Sequence, residues 1–301
     1  MNAIQFYGAI ELGLIFGLVA WGVYFSLRVL QFPDLTIDGS FPLGAGVAAI
    51  LIVNGVDPWL ASLLATFAGG CAGFVTAWLS IKWNILNLLA GILTMTALMS
   101  INLRIMQGPN IALFQQRSIF SYWIENGISA QTAILSICGI LIFLLWIGLY
   151  KFLTSHIGLA MRAAGCNLRM AQAQGIETNR IILWGMVLSN ALVAFSGALY
   201  AQSQGFADVS MGIGTMIIGL AAVIIGEALL PSRHLLVVLL RCLIGSIVYR
   251  LMITFSLNMD FLGMQASDLN LVTAILVGLA MSFPRLRVYI TNQLKKERGP
   301  L

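Results

Sequence analysis

Long apolar runs broken by short polar stretches dominate the chain. The runs lack the every-second-residue alternation of a half-buried strand. In lipid a segment must pair its own backbone N–H and C=O groups, so apolar runs of 18 or more residues are read as helices. A membrane β-barrel, built from short alternating segments, does not fit. The expected fold class is an all-α polytopic membrane protein with nine spans, near 8–30, 42–56, 59–81, 86–106, 130–152, 180–202, 212–230, 234–256 and 269–284. The second and seventh are short and carry the glycine-bearing stretches GSFPLGAG and MGIGTMIIG. A fifteen-residue run covers only about 22 Å of a roughly 30 Å hydrocarbon core, so these two are candidates for broken or re-entrant segments.

Composition supports this reading: 59% of the 301 residues are hydrophobic and 9% charged, with a mean hydropathy of +0.94. The first run follows MNAIQFYG, which has no Lys or Arg, and it is longer than a signal-peptide core, so it is expected to stay in the protein.

Charge sets an expected orientation. Lys82, Lys151, His156, Arg162, Arg169, Arg180, Arg233, Arg241, Arg285, Arg287, Lys295, Lys296 and Arg298 fall on one side of the nine-span arrangement. Glu11, Asp57, Glu125, Asp208, Asp260 and Asp268 fall on the other, with Arg117 and Arg104 as exceptions. The positive-inside rule then puts the N-terminus outside and the C-terminus in the cytoplasm. The net charge of +5 comes from this cytoplasmic excess and does not form a separate nucleic-acid-binding face.

Catalytic chemistry finds no support. Cys71, Cys138, Cys166 and Cys242 have no metal or redox spacing and suit packing. His156 and His234 stand at span ends. No Ser/His/Asp set, zinc motif or paired intramembrane carboxylate is visible, so neither an enzyme nor a metal site is expected. The phosphate loop G-x-x-x-x-G-K-[ST] is also missing, so no cofactor is expected in this chain and any ATP must bind elsewhere.

Internal similarity is informative. NLLAGILTMTA at 87–97 matches NLVTAILVGLA at 270–280, and Asp34-Leu-Thr-Ile-Asp-Gly-Ser parallels Asp208-Val-Ser-Met-Gly-Ile-Gly. Spans 1–4 and 6–9 then form two copies, and the single span between them inverts the second, as in many transporters.

One stretch departs from the apolar pattern, MRAAGCNLRMAQAQG at 161–175, within a polar segment at 157–179 on the expected cytoplasmic side. Asn167 is a good N-cap, Leu168 to Gln174 is expected to be a helix of about two turns, and Gly175 can end it in the left-handed conformation. Met161, Ala164, Leu168 and Ala171 form one apolar stripe, with Arg162, Arg169 and Gln172 on another. The alanines leave room for a partner to approach. An amphipathic loop helix resting on lipid headgroups is the alternative.

The run GLAMRAAGCNLRMAQAQGIETNRIILWGMVLSNALVAFSGAL resembles the coupling segment of permeases of ABC importers of the branched-chain amino acid/ribose type. PDLTIDGSFPLGAG at 33–46 resembles the Asp- and Gly-bearing segment after that family's first span. LTIDGSF with GILTMTALMSINLRIMQGPNI resembles an uncharacterised permease subgroup paired with a periplasmic binding lipoprotein and an ATPase, some members of which are assigned to aromatic amino acids. The resemblance implies a permease that imports a small polar, amino acid-like solute. It implies as partners an ABC ATPase dimer, a periplasmic or lipid-anchored solute-binding protein and a second permease copy, identical or paralogous. Arg162, Ala164, Gly165, Asn167, Arg169, Ala171, Gln172 and Gly175 are then the ATPase-coupling residues.

Two further groups are candidates. Asp38, Gly39, Ser40, Asn87 and Asn190 are polar or small positions at or inside spans, suited to a translocation path. In the expected periplasmic loop 107–129, Arg117, Tyr122 and Trp123 suit either membrane anchoring or docking of the binding protein. An ion-coupled secondary transporter or channel is a rival, and it requires charged residues at mid-span. A non-transporting scaffold or intramembrane enzyme is the remaining class.

Overall fold

The computed structural model describes residues 3–114, 116–125, 127, 129–232, 234–257 and Gly278. Helix α1 (Ala3–Val23) continues into a π-helical stretch, Tyr24–Val29. An extended segment leads to α2 (Ile37–Val53), followed by α3 (Pro58–Trp83) and α4 (Asn87–Met106). A short strand β1 (Asn110–Ala112) and helix α5 (Ser121–Glu125) precede α6 (Ala130–Thr154), α7 (His156–Cys166) and α8 (Leu168–Ala173). Next come α9 (Thr178–Gln204), β2 (Phe206–Asp208), a 3-10 turn at Val209–Gly212, α10 (Thr215–Leu229) and α11 (Leu235–Leu257).

The helix ends follow local chemistry. Asp57 accepts hydrogen bonds from the Trp59 and Leu60 amides, and Pro58 opens α3 where no N–H is needed. Ser129 caps α6 in the same way through the Thr132 amide.

Seven helical stretches among the described residues are long and apolar enough to cross a membrane: Ile4–Val29, Pro58–Trp83, Asn87–Met106, Ala130–Thr154, Thr178–Gln204, Val209–Leu229 and Leu235–Ser256. At 17 residues, α2 is apolar but shorter. The span expected at 269–284 lies outside the described residues. The first helix begins at Ala3, five residues before its expected start, so Glu11 is not an end charge. It sits within α1 and is buried.

The long α9 is the axis of the bundle, with α2 and α3 against one side and α1 against another. Close approach is made by small residues: a Cβ on Gly44 would run into the backbone of Ala194, and one on Gly197 into the carbonyl of Phe41. Helix-to-helix hydrogen bonds join the same elements. Ser196 Oγ donates to the Ile15 carbonyl, Ser189 Oγ to Gly22 and Ser246 Oγ to Gly13, each at 2.7 Å. These bonds cross-link α1 to α9 and α11 where no water competes.

Beyond α4 and α9, β1 and β2 pair antiparallel, with Asn110 opposite Asp208 and Ala112 opposite Phe206. At the other end, where α1 and α10 finish and α11 begins, Arg28 and Arg241 both pair with Glu227.

Candidate translocation path and coupling surface

The first turn of α2 is turned into the bundle. Asp38 accepts bonds from the Gly214 amide (3.1 Å), the Met216 amide (2.7 Å) and Thr215 Oγ1 (2.9 Å). One carboxylate thus serves the amides that open α10, where the helix dipole also favours negative charge. Gly214, with φ +83°, makes the turn that brings those amides round. Two residues along, Ser40 Oγ donates to Asn190 Oδ1 (2.7 Å), and Asn190 Nδ2 donates to Asp34 Oδ2 (2.7 Å). The other Asp34 oxygen accepts the Thr36 amide at 2.9 Å, and the Thr36 and Thr76 hydroxyls are hydrogen-bonded to each other at 2.7 Å. Gly39 is buried, and its carbonyl accepts from Asn102 Nδ2 (3.2 Å).

Asp38, Gly39, Ser40 and Asn190 therefore come together near the middle of α9. Asn87 does not join them. It stands half-buried at the start of α4, and its Oδ1 accepts from Ser80 Oγ (2.6 Å). Asp34, absent from the expected site residues, is the most enclosed acid of the cluster, at 0% exposure. Its signal was present in DLTIDGS, where two aspartates four apart precede an apolar run. Ser40 and Asn190 are fully buried, so in this conformation the cluster is a closed, internally paired junction between the openings of α2 and α10.

A second charged position lies in α11. The guanidinium carbon of Arg250 sits 3.9 Å from the centroid of the Phe16 ring. Phe16, Phe41 and Tyr200 pack edge-on and tilted, with centroids 5.4 to 5.8 Å apart. Arg250 was missed because a single charge in LLVVLLRCLIGSIVYRLMITFSL does not reveal which neighbour it meets. It is a charge within an apolar helix, seven residues from its end. Among the described residues no group of three or more His, Cys, Asp and Glu side chains could hold a metal ion.

The polar segment folds as two helices. Asn167 ends α7 and caps α8, its Oδ1 accepting from the Met170 amide (3.1 Å), and Gly175 takes φ +79°. Since the backbone turns at Asn167, the expected stripe splits: Met161, Ala164 and Ala171 are buried, whereas Leu168 is exposed. Ala164, Gly165 and Ala171 face their own chain, so they seat the segment and do not offer room to a partner. A Cβ on Gly165 would overlap the Val29 carbonyl oxygen, which places α7 directly on the π-helical end of α1. Arg162, Asn167, Arg169, Gln172 and Gly175 remain exposed, and Gln172 Nε2 ties back to Thr178 Oγ1 (2.9 Å) at the start of α9.

In the loop after α4, the β1–β2 pair and a bond from the Ile119 amide to Gln202 Oε1 (3.1 Å) fix the chain. Arg117 and Tyr122 are exposed, whereas Trp123 turns inward and packs on the core.

The comparisons agree with this architecture. The family model for the branched-chain amino acid transport system permease component matches residues 7–283. The chain is 40% identical over 264 residues to a tyrosine transport system permease protein of Clostridioides difficile (strain R20291), covering 88% of this chain and 86% of that one. It is 33% identical over 195 residues to the uncharacterized protein RP368 of Rickettsia prowazekii (strain Madrid E), covering 64% and 66%. Identity to the ribose import permease protein RbsC of Bacillus subtilis (strain 168) is 26% over 188 residues, 61% of this chain and 56% of that one. No solved structure matches the chain. With seven apolar helices of membrane-crossing length among its described residues and a family model spanning nearly its whole length, this multi-pass membrane protein belongs to the branched-chain amino acid transport system permease family.

Proposed function

We propose that the chain is the membrane-spanning subunit of an importer for a small amino acid-like solute, an aromatic one foremost. A separate ATPase dimer drives it, a solute-binding protein feeds it from outside, and a second permease copy completes it. The observation that carries this reading is the seating of α7 and α8. Ala164, Gly165 and Ala171 are buried under the segment, Gly165 directly on the π-helical end of α1; Gln172 ties the segment to the start of α9, and Arg162 and Arg169 stay exposed. Such a part transmits force between a partner and the spans, since a displacement at its surface moves two packed helices together. The tyrosine permease likeness supports the solute class.

In this reading the N-terminus is outside and the nine spans form two inverted repeats. The two matched segments support the repeat. Asp34 Oδ1 accepts the Thr36 amide and Asp208 Oδ1 accepts the Ser210 amide, the same two-residue turn in each copy. Each turn leads into a short helix, α2 or α10, and those two helices open against one another at Asp38.

An ion-coupled transporter gains one argument, the buried acids Asp34 and Glu11. Both Asp34 oxygens already hold hydrogen bonds within the chain, which favours a structural role for that group. The deciding experiment reconstitutes the permease with its ATPase and binding protein in liposomes and follows labelled tyrosine and ribose. ATP-dependent tyrosine uptake is expected. Uptake that ignores ATP and follows a sodium or proton gradient would overturn the reading.

A further inference from the structure

We propose that Arg250 is the anion-recognising group of this permease: its guanidinium, held inside the bundle over Phe16 and beside Tyr200, receives the carboxylate of the transported solute. The proposal deepens the import reading and rests on it.

Arg250 stands seven residues before the end of α11, on the order of 10 Å along the helix axis. A charge at such a position in an apolar helix is costly and is retained where it faces the bundle interior or a wet cavity and has a partner. Arg241 on the same helix follows that rule by pairing with Glu227 at 3.0 Å. Among the described residues no carboxylate comes within 4.0 Å of Arg250, the ion pairs being Arg28–Glu227, Arg241–Glu227 and Arg180–Glu177. The Arg250 Nε is buried with no hydrogen-bond partner among the described residues, as is the Nε of Arg241, whose charge is nonetheless paired. The contact on Phe16 supplies attraction through the negative face of the ring, but a ring accepts none of the guanidinium's in-plane N–H bonds.

Arg250 as a residue is half-buried. Its planar fork matches a carboxylate, which it can hold through two parallel bonds. Tyr200, also half-buried, packs against Phe16 and offers ring surface next to that anion position. The pairing of a fixed cation with a cluster of aromatic rings fits a solute bearing a carboxylate and a ring.

The test uses the complete complex of permease and ATPase purified in detergent, with L-tyrosine and tyramine as probes. Tyramine keeps the ring and the ammonium and lacks the carboxylate. Millimolar L-tyrosine is expected to raise the thermal unfolding midpoint of the wild-type complex, and tyramine is expected to leave it unchanged. With Arg250→Gln the tyrosine shift should vanish, and ATP-driven tyrosine uptake in liposomes with binding protein should fall by at least about tenfold. Co-purification of the ATPase at wild-type level reports that the variant has assembled. If it has not, Arg250→Lys decides, because the charge stays and the fork is lost: a raised KM for tyrosine uptake supports the proposal and an unchanged KM overturns it. Wild-type uptake by Arg250→Gln, or equal protection by tyramine, also overturns it. So does an internal ion pair to Asp260 or Asp268, revealed if Asp260→Asn or Asp268→Asn abolishes the tyrosine shift just as Arg250→Gln does. Wild-type complex that imports neither tyrosine nor ribose fails the import reading itself, whereas tyrosine uptake indifferent to Arg250 fails this inference alone.

Discussion

Asn190 spends all of its amide on the junction at the bundle centre. Its Oδ1 accepts from Ser40, and its Nδ2 donates both to Asp34 and to the Met186 carbonyl of its own helix. Replacement by leucine, similar in size, would strip a donor from a buried carboxylate and an acceptor from a buried hydroxyl. Leaving such groups unpaired costs about 2–4 kcal/mol in all. Purified Asn190→Leu is therefore expected to unfold at a clearly lower temperature than wild type, while Asn87→Leu, whose partner Ser80 is part-buried, should change little. Equal midpoints for the two variants would deny the junction its structural role. Polar residues in an apolar run announce that they need partners, which made Asn190, Ser40 and Asp38 legible. The identity of the partners was not legible, because it depends on which helices meet. Asp34 and Arg250 were lost for that reason.

Helix boundaries were the most readable feature at the scale of elements. Asn167 and Gly175 occupy the cap positions that their chemistry favours. The inward face of the segment was not readable, since alanine suits both a packed face and a docking groove. Burial of Ala164, Gly165 and Ala171 separates two kinds of variant. Gly165→Leu forces a side chain into the Val29 carbonyl, so it should unseat α7, lower the unfolding temperature and reduce coupling together. Arg169→Glu changes only an exposed charge, so the permease should stay as stable as wild type. If the segment meets the ATPase, that variant should still retain less of the partner on an affinity column. Full retention of the ATPase by stable Arg169→Glu would leave α8 as a surface helix on the lipid headgroups.

For the molecule as a whole, the two membrane faces have different work in an importer, and the chain builds them differently. One face carries α7, α8 and the Arg28–Glu227–Arg241 ion pairs. The other carries the loop from 107 to 129, which the sequence marked as a docking or anchoring surface without showing which aromatics stay outside. Packing decided that: Ile119, Phe120 and Trp123 turn toward the core, while Phe114, Tyr122 and Arg117 stay exposed on a frame held by the β1–β2 pair. An exposed arginine on a loop that also exposes Phe114 and Tyr122 suits a partner with an acidic rim. Charges at a rim act mainly on the encounter rate and its salt dependence. Arg117→Glu is thus expected to slow association of the solute-binding protein at low salt. Raising the salt should narrow the gap to wild type, because screening weakens the attraction in one and the repulsion in the other. Expression should match wild type, since Arg117 is exposed. Association rates measured on reconstituted permease at low and high salt check this, and identical rates for the two proteins at both would make the loop a membrane anchor.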